Sequence, residues 1–324
     1  MSSLEQILTA QRRLAGVALC TPLLHSPLLD GLAGRRILVK AESLQLTGAF
    51  KFRGAWSALT GMDERARRNG VLAYSSGNHG QAVALAARMH GIPAVIVMPA
   101  HAPAPKIDGA RALGAEVVLY DHATESREEI GVRLGRERGL ALVRPYDDPL
   151  VIAGQGTVGL EIAEQARRAG VASADVLVPC GGGGLAAGVS LALADRAPGL
   201  RPRPCEPEAF DDTRRSLAQG RRVANGGSQH SICDAIVTPI PGELTFPILR
   251  DHCGPGLVAS DRACLQAMAV AFQRLRLVLE PGGAVALAAA LSRPECIPGD
   301  TVIVVASGGN VDARLFCEAV HGLR

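Results

Sequence analysis

The sequence predicts an open α/β fold with a mostly parallel sheet, and three observations carry that prediction. Short apolar runs alternate with helical patterns along nearly the whole chain, the runs have the length of buried strands, and several end in glycine or serine clusters. Strand ends of that kind are where open α/β sheets bind ligands. A chain of 324 residues, at about 150 per domain, holds two domains or one large domain with an insertion. No linker-like stretch divides it and no period of roughly 20–50 residues repeats, so a second domain is expected as an insertion.

In chain order, strands are expected at residues 37–39, 71–74, 94–98, 116–120, 176–178 and 302–306, each rich in aliphatic residues and bounded by turn residues. Helices are expected over 81–90, 126–138, 154–168, 185–195 and 262–274, where apolar residues recur at helical spacing and glycine or proline often follows.

Composition excludes several classes of function. The chain is 48% hydrophobic and 20% charged with a mean hydropathy of +0.18, which rules out a disordered scaffold. Basic and acidic residues number 34 and 31 and the arginine pairs are scattered, so neither a nucleic-acid stripe nor a polybasic membrane patch is present. A small-molecule partner is expected. The longest apolar run, residues 284–291, falls far short of the ~20 residues of a spanning helix, and no basic-then-apolar leader opens the chain. The expected location is the cytoplasm, with no membrane association. Eight cysteines come no closer than Cys253 and Cys264, without any C-x-x-C pair, and are expected as buried reduced thiols. Eight dispersed histidines lack metal spacing, and only His79 falls in an informative loop.

Of the 34 basic residues only Lys40, Lys51 and Lys106 are lysines. Lysine, unlike arginine, can lose its proton near neutral pH and form an imine, so each of the three is either a chance remnant or a reactive amine. Lys51 sits in Gly48-Ala49-Phe50-Lys51-Phe52-Arg53-Gly54, a turn leading into a helical pattern. The positive end of a helix and burial between Phe50 and Phe52 would both lower its pKa; a solvated helix-start lysine is the alternative. Ser75-Ser76-Gly77-Asn78-His79-Gly80 follows a strand and precedes a helix, which suits a carboxylate or is plain turn chemistry. Gly181-Gly182-Gly183-Gly184-Leu185 lets backbone amides converge on an anion, with phosphate the natural guest; a flexible tight turn is the alternative. It lacks both the Walker lysine and the dinucleotide spacing. Ser307-Gly308-Gly309-Asn310 again follows a strand. A phosphate cradle, an activated lysine, an anion loop and a hydroxyl in one crevice describe a site for a phosphorylated aldehyde cofactor, and pyridoxal phosphate fits.

These motifs, with Ile152-Ala153-Gly154-Gln155-Gly156-Thr157 and Glu280-Pro281-Gly282-Gly283-Ala284, resemble the fold type II pyridoxal-phosphate enzymes, specifically the threonine/serine dehydratase and serine racemase group, over essentially the whole chain. The resemblance implies a tryptophan synthase beta-like fold of two open, twisted, mostly parallel sheets. Residues 1–66 and 148–324 would form a large cofactor-binding domain and residues 67–147 a small mobile one. It makes Lys51 the Schiff-base lysine and Phe50 a ring-packing residue, with Asn78 the partner of the cofactor's 3-hydroxyl. Gly181, Gly182, Gly183, Gly184 and Leu185 become the phosphate cradle, Glu280 a cofactor contact and Ser307 the partner of the pyridine nitrogen. Ser75, Ser76, Gly77, Asn78, His79 and Arg127 would bind substrate, Ser76 also exchanging a proton on the opposite face. A neutral hydroxyl at Ser307 favours β-elimination over transamination. Within Glu206-Pro207-Glu208-Ala209-Phe210-Asp211-Asp212, the side chains of Glu206 and Asp212 and the carbonyl of Phe210 match a cation site whose oxygen ligands suit Mg2+ or Ca2+.

Two departures from the group's pattern carry weight: Ala49 stands where serine is usual, and Tyr146 resembles the aromatic residue of the dehydratases. The stretch 233–247, from Cys233-Asp234-Ala235-Ile236-Val237 to Thr245-Phe246-Pro247, is the least familiar and is expected at the distal end of the substrate. The implied reaction is dehydration of L-threonine or L-serine to a 2-oxo acid and ammonia by a homodimer. Serine racemase, hydroxyaspartate dehydratase and hydroxyectoine-degradation dehydratase are the alternatives within that chemistry. A non-catalytic pyridoxal-phosphate binder and an NAD-dependent oxidoreductase are the alternatives outside it.

Overall fold

The computed structural model describes residues 3–75, 77–102, 104–121, 124–227 and 229–322. Among them the strands are β1 (Leu23–His25), β2 (Arg36–Ala41), β3 (Val71–Tyr74), β4 (Ala94–Pro99), β5 (Glu116–Tyr120), β6 (Ala141–Leu142), β7 (Ala174–Pro179), β8 (Leu200–Pro207), β9 (Leu257–Ala259) and β10 (Thr301–Ala306). They form a six-stranded sheet in the order β1-β2-β10-β7-β8-β9 and a four-stranded sheet in the order β5-β4-β3-β6. Every pairing is parallel except β1 with β2.

Alternation along the strands explains the layering. Ile37, Val39, Val302 and Val304 face a core shared with the helices Asp261–Leu275 and Pro281–Ser292. Their neighbours Leu38, Ile303 and Val305 face the opposite core, against Pro149–Arg168 and Gly184–Arg196. A parallel sheet covered on both sides needs apolar residues at every position, which is why these strands read as continuous apolar runs. In the smaller sheet Val71, Ala73 and Ile96 share a core with Phe52, Ala55, Trp56 and Leu59 of the helix Lys51–Gly61. The helix that begins with Lys51 is thereby built into the smaller sheet's packing.

All six expected strands form. β1, β6 and β9 were not expected because three residues or fewer carry no periodic signal. β8 was hidden by Arg201-Pro202-Arg203-Pro204, since proline argues against an inner strand. The register shows how it is tolerated: β9 pairs only with residues 205–207, and Pro202 O accepts from Gly254 N on that same side. Pro202 and Pro204 lie within the stretch paired with β7, but their ring nitrogens are turned to the β9 side ahead of its ladder, so they remove no ladder bond.

The helix Pro149–Arg168 begins five residues earlier than expected. Asp148 caps it, its Oδ1 accepting from Leu150 N at 2.8 Å and Val151 N at 3.2 Å, with Pro149 in the first turn. It also packs unusually closely on Gly184–Arg196, where a Cβ on Gly188 would lie 2.5 Å from Gly156 N. The cysteines correct one expectation: all eight are free, but Cys20, Cys296 and Cys317 are exposed. No helix among the described residues is long and apolar enough to cross a membrane.

Candidate active site

Loops leaving the C-terminal ends of β2, β3, β7 and β10 meet in one cavity of about 210 Å³. It brings together Phe50, Lys51, Ser75, Gly77, Asn78, His79, Arg127, Gly181, Gly182, Gly183, Gly184, Leu185, Glu280 and Ser307. Ser76 lies outside the described residues.

Lys51 is the first residue of its helix, and Nζ donates to Pro145 O at 2.7 Å, with the Phe50 ring centroid 5.1 Å away. Burial pulls its pKa down to about 8, opposed by the carboxyl of Glu280. The other lysines are accounted for by carboxylates. Lys40, wholly buried, is bound by Glu161, by Thr21 O at 2.7 Å and by Gln165 Oε1 at 3.0 Å. Lys106 pairs with Asp234 at 2.8 Å across the cavity mouth. Lys51 alone of the three is without a carboxylate partner among the described residues.

The glycine loop is held from behind. Gly182 O accepts from Thr245 Oγ1 at 2.7 Å and from Gly242 N at 3.3 Å. Asp147 in turn holds the amides of Glu243, Leu244 and Thr245 at 3.0, 2.8 and 3.3 Å. With that carbonyl tied back, the amides opening the helix Gly184–Arg196 have no carbonyl one turn earlier to bind, which is the arrangement that holds a phosphate. Side chains are excluded: Gly183 has φ +92°, and a Cβ on Gly182 would lie 2.3 Å from the Tyr146 ring. These features fit the phosphate end of pyridoxal phosphate, as Lys51 fits its aldehyde end. The stretch expected at the distal end of the substrate divides. Residues 234–239 line the cavity, whereas Thr245 braces the cradle from outside.

Asn78 Nδ2 donates to Glu280 Oε1 at 2.5 Å, and Asn78 Oδ1 accepts from Asn310 Nδ2 at 2.8 Å. Burial pushes Glu280 up to about 7, with the Asn78 hydrogen bond acting against it. Ser307 is 4% exposed, its carbonyl accepting from Phe50 N at 3.1 Å. The imidazole of His79 is turned inward, Nε2 donating to Val143 O at 2.8 Å, and burial together with Lys51 lowers its pKa to about 3. Its other ring nitrogen, Nδ1, is buried without a hydrogen-bond partner among the described residues. The Arg127 guanidinium lies 5.4 Å from the Tyr74 ring centroid and bonds exposed Glu128 at 2.8 Å while lining the cavity.

The expected cation ligands converge only in part. Glu206 spends both carboxylate oxygens on the amides of Thr213 and Arg214, at 2.8 and 2.7 Å. Asp212 Oδ1 accepts from Asn225 at 2.5 Å, while Oδ2 is buried without a partner. Phe210 contributes a turn, its N–H donating to Pro207 O. Among the described residues no group of three or more His, Cys, Asp or Glu side chains could hold a metal.

Sequence reasoning gave no role to Asp147, which does not line the cavity, or to Asn310, and placed Thr245 at the distal end of the substrate rather than behind the cradle. Lys106 and Asp234 were invisible as a pair because 128 positions separate them.

Comparison with known proteins agrees with this geometry. The family model described as pyridoxal-phosphate dependent enzyme matches residues 15–308. An L-threo-3-hydroxyaspartate ammonia-lyase from Pseudomonas sp is 40% identical over 323 residues, covering 99% of each chain. The crystal structure of a threonine deaminase from T.th. superposes with a TM-score of 0.90 at 46% identity, covering 96% of this chain and 99% of that one. Maize serine racemase gives 0.92 at 35% identity, covering 99% and 98%. A family match over most of the chain, with a phosphate-ready glycine loop and a half-buried lysine in one cavity, establishes that the chain belongs to the pyridoxal-phosphate dependent enzyme family.

Proposed function

We propose that this enzyme dehydrates a β-hydroxy amino acid, L-threonine or L-serine, to an enamine that hydrolyses to a 2-oxo acid and ammonia. The observation that carries the reading is Lys51: an amine held near pKa 8, without a carboxylate partner, in the same cavity as the glycine amides and Ser307. Pyridoxal phosphate, when bound, supplies the electron-withdrawing ring that makes the α-proton of an attached amino acid acidic. The amides of residues 181–185 anchor the phosphate, and the head of the helix Asn78–Met89 with Ser75 receives the substrate carboxylate. Lys51 Nζ, once free, takes the α-proton, and the β C–O bond breaks as the hydroxyl leaves with a proton. Ser307 offers a neutral hydroxyl, which suits elimination. Ser76 is the candidate for proton exchange on the other face, with racemisation as its readout. Residues 67–147 close over the substrate, expelling water, with Lys106–Asp234 spanning the mouth.

One observation favours a second substrate. Arg127 places a guanidinium on the cavity wall beyond the carboxylate loop, which a second carboxylate would engage, as in 3-hydroxyaspartate. A panel of L-threonine, L-serine, D-serine and L-threo-3-hydroxyaspartate separates the readings. We expect 2-oxobutyrate from L-threonine; oxaloacetate from hydroxyaspartate alone overturns that in favour of the dicarboxylate. In the latter case Arg127→Met raises KM for the dicarboxylate by about tenfold or more, the worth of a charged hydrogen bond.

A divalent cation beside Glu206, Asp212 and the Phe210 carbonyl belongs to the same proposal, supported by the buried, unpartnered Oδ2 of Asp212. Chelation should then lower the melting temperature. Identical melting with and without chelator removes the cation.

A further inference from the structure

The side chain of Asn78 can face a bound ring with either end of its amide, and the two ends have opposite chemistry: N–H donates, the carbonyl only accepts. Its orientation is fixed here by a chain of forced choices. Thr47 O can only accept, so Asn310 must present Nδ2 to it, at 2.7 Å. The second hydrogen of that nitrogen goes to Asn78 Oδ1 at 2.8 Å. Asn78 is then left with Nδ2 toward Glu280 Oε1, an acceptor whether or not the carboxyl is ionised. One N–H of Asn78 is used there and the other remains for the cavity that Asn78 lines.

We propose that Thr47, Asn310 and Glu280 form a relay that locks the Asn78 amide so that an N–H, and not its carbonyl, meets the ring oxygen of bound pyridoxal phosphate. Asn310 is thus a positioning residue, acting through Asn78. The proposal rests on the reading of Asn78 as the residue facing that oxygen.

The backbone around the relay is built for it at some cost. Thr47 has φ +60°, a left-handed conformation that a β-branched residue rarely adopts, and its own hydroxyl is buried without a partner. What that conformation achieves is a carbonyl presented to Asn310. Gly48 follows at φ +72°, where a Cβ would lie 2.6 Å from Asn310 Oδ1, and Gly309 N donates to Gly48 O at 2.9 Å. The turns at residues 46–48 and 307–310 are knitted together around one amide.

The test is Asn310→Asp. A carboxylate at 310 can only accept, so it repels Thr47 O and draws Asn78 Nδ2 to itself, turning the Asn78 carbonyl toward the cofactor. The apoprotein, titrated with pyridoxal phosphate at fixed pH, should then bind about tenfold or more weakly, and the absorption bands of the bound cofactor should change in ratio. Asn310→Ala, which frees the amide without reversing it, should lie between Asn310→Asp and the parent. Binding by Asn310→Asp within twofold of the parent, with an unchanged spectrum, overturns the relay; if that variant does not fold, parent-like binding and spectrum in Asn310→Ala do so. If the parent itself takes no borohydride-reducible label on Lys51, the reading of the site has failed instead.

Discussion

Two residues of one helix turn, Lys51 and Arg53, enter opposite kinds of environment. Arg53 is 1% exposed, and its guanidinium reaches Glu42 at 2.8 Å, Glu161 at 2.6 Å, Thr157 Oγ1 at 3.2 Å and Leu19 O at 3.0 Å. Lys40 joins the same cluster through Glu161, so two cations and two anions are buried together and hydrogen-bonded. Lys51 faces a cavity with one carbonyl and one aromatic ring. The contrast shows what separates a structural cation from a reactive one. Burial is common to both, but full pairing keeps the charge, whereas burial without a carboxylate lowers the cost of losing the proton.

The largest expected effect breaks the reactive side of this contrast. Lys51→Ala should lower elimination by about 10³-fold, as removal of a proton-transfer group does, while the chain still folds. A variant that kept more than a tenth of the activity would show the proton going elsewhere. On the structural side, Arg53→Met leaves Lys40 to balance the cluster's two carboxylates, and urea unfolding should show a loss of about 3–5 kcal/mol. A loss under about 1 kcal/mol would mean that the cluster is no stronger than a surface pair. The smallest effect sharpens the distinction. Because only neutral Nζ attacks an aldehyde, capture of pyridoxal phosphate by the apoprotein should accelerate with rising pH through the pKa of about 8, roughly tenfold between pH 7 and 9. A rate that is still climbing above pH 10 would place Lys51 in an ordinary solvated state.

Much of the scaffold was legible because it is local. β3 and β5 run over the expected residues, since aliphatic runs bounded by turn residues need no partner to be recognised. The glycine loop and Lys51 were legible because their chemistry is written in adjacent residues. What escaped notice depends on partners far away in the chain. β8 is tolerated as an inner strand because Pro202 and Pro204 pair with β7 while their backbone is turned toward the β9 side, where pairing begins only at Cys205. The cradle is braced from behind by Thr245, whose amide Asp147 holds across 98 positions. His79 stands in the anion loop by sequence, yet its Nε2 is tied to Val143 O, 64 positions on.

The sequence alone therefore determined the alternation of strands and helices, the glycine-lined phosphate loop and the lysine able to form an imine. These follow from composition, spacing and local backbone freedom, which require no knowledge of what packs against them. Tertiary structure decided which lysine is neutralised and which is left near neutrality, and which end of an asparagine amide faces the cavity. It also decided that the carboxylates of Glu42 and Glu161 balance charge while that of Glu280 is held up near neutrality. Pairing and desolvation are properties of a residue's surroundings, and those surroundings come into being only when distant segments meet.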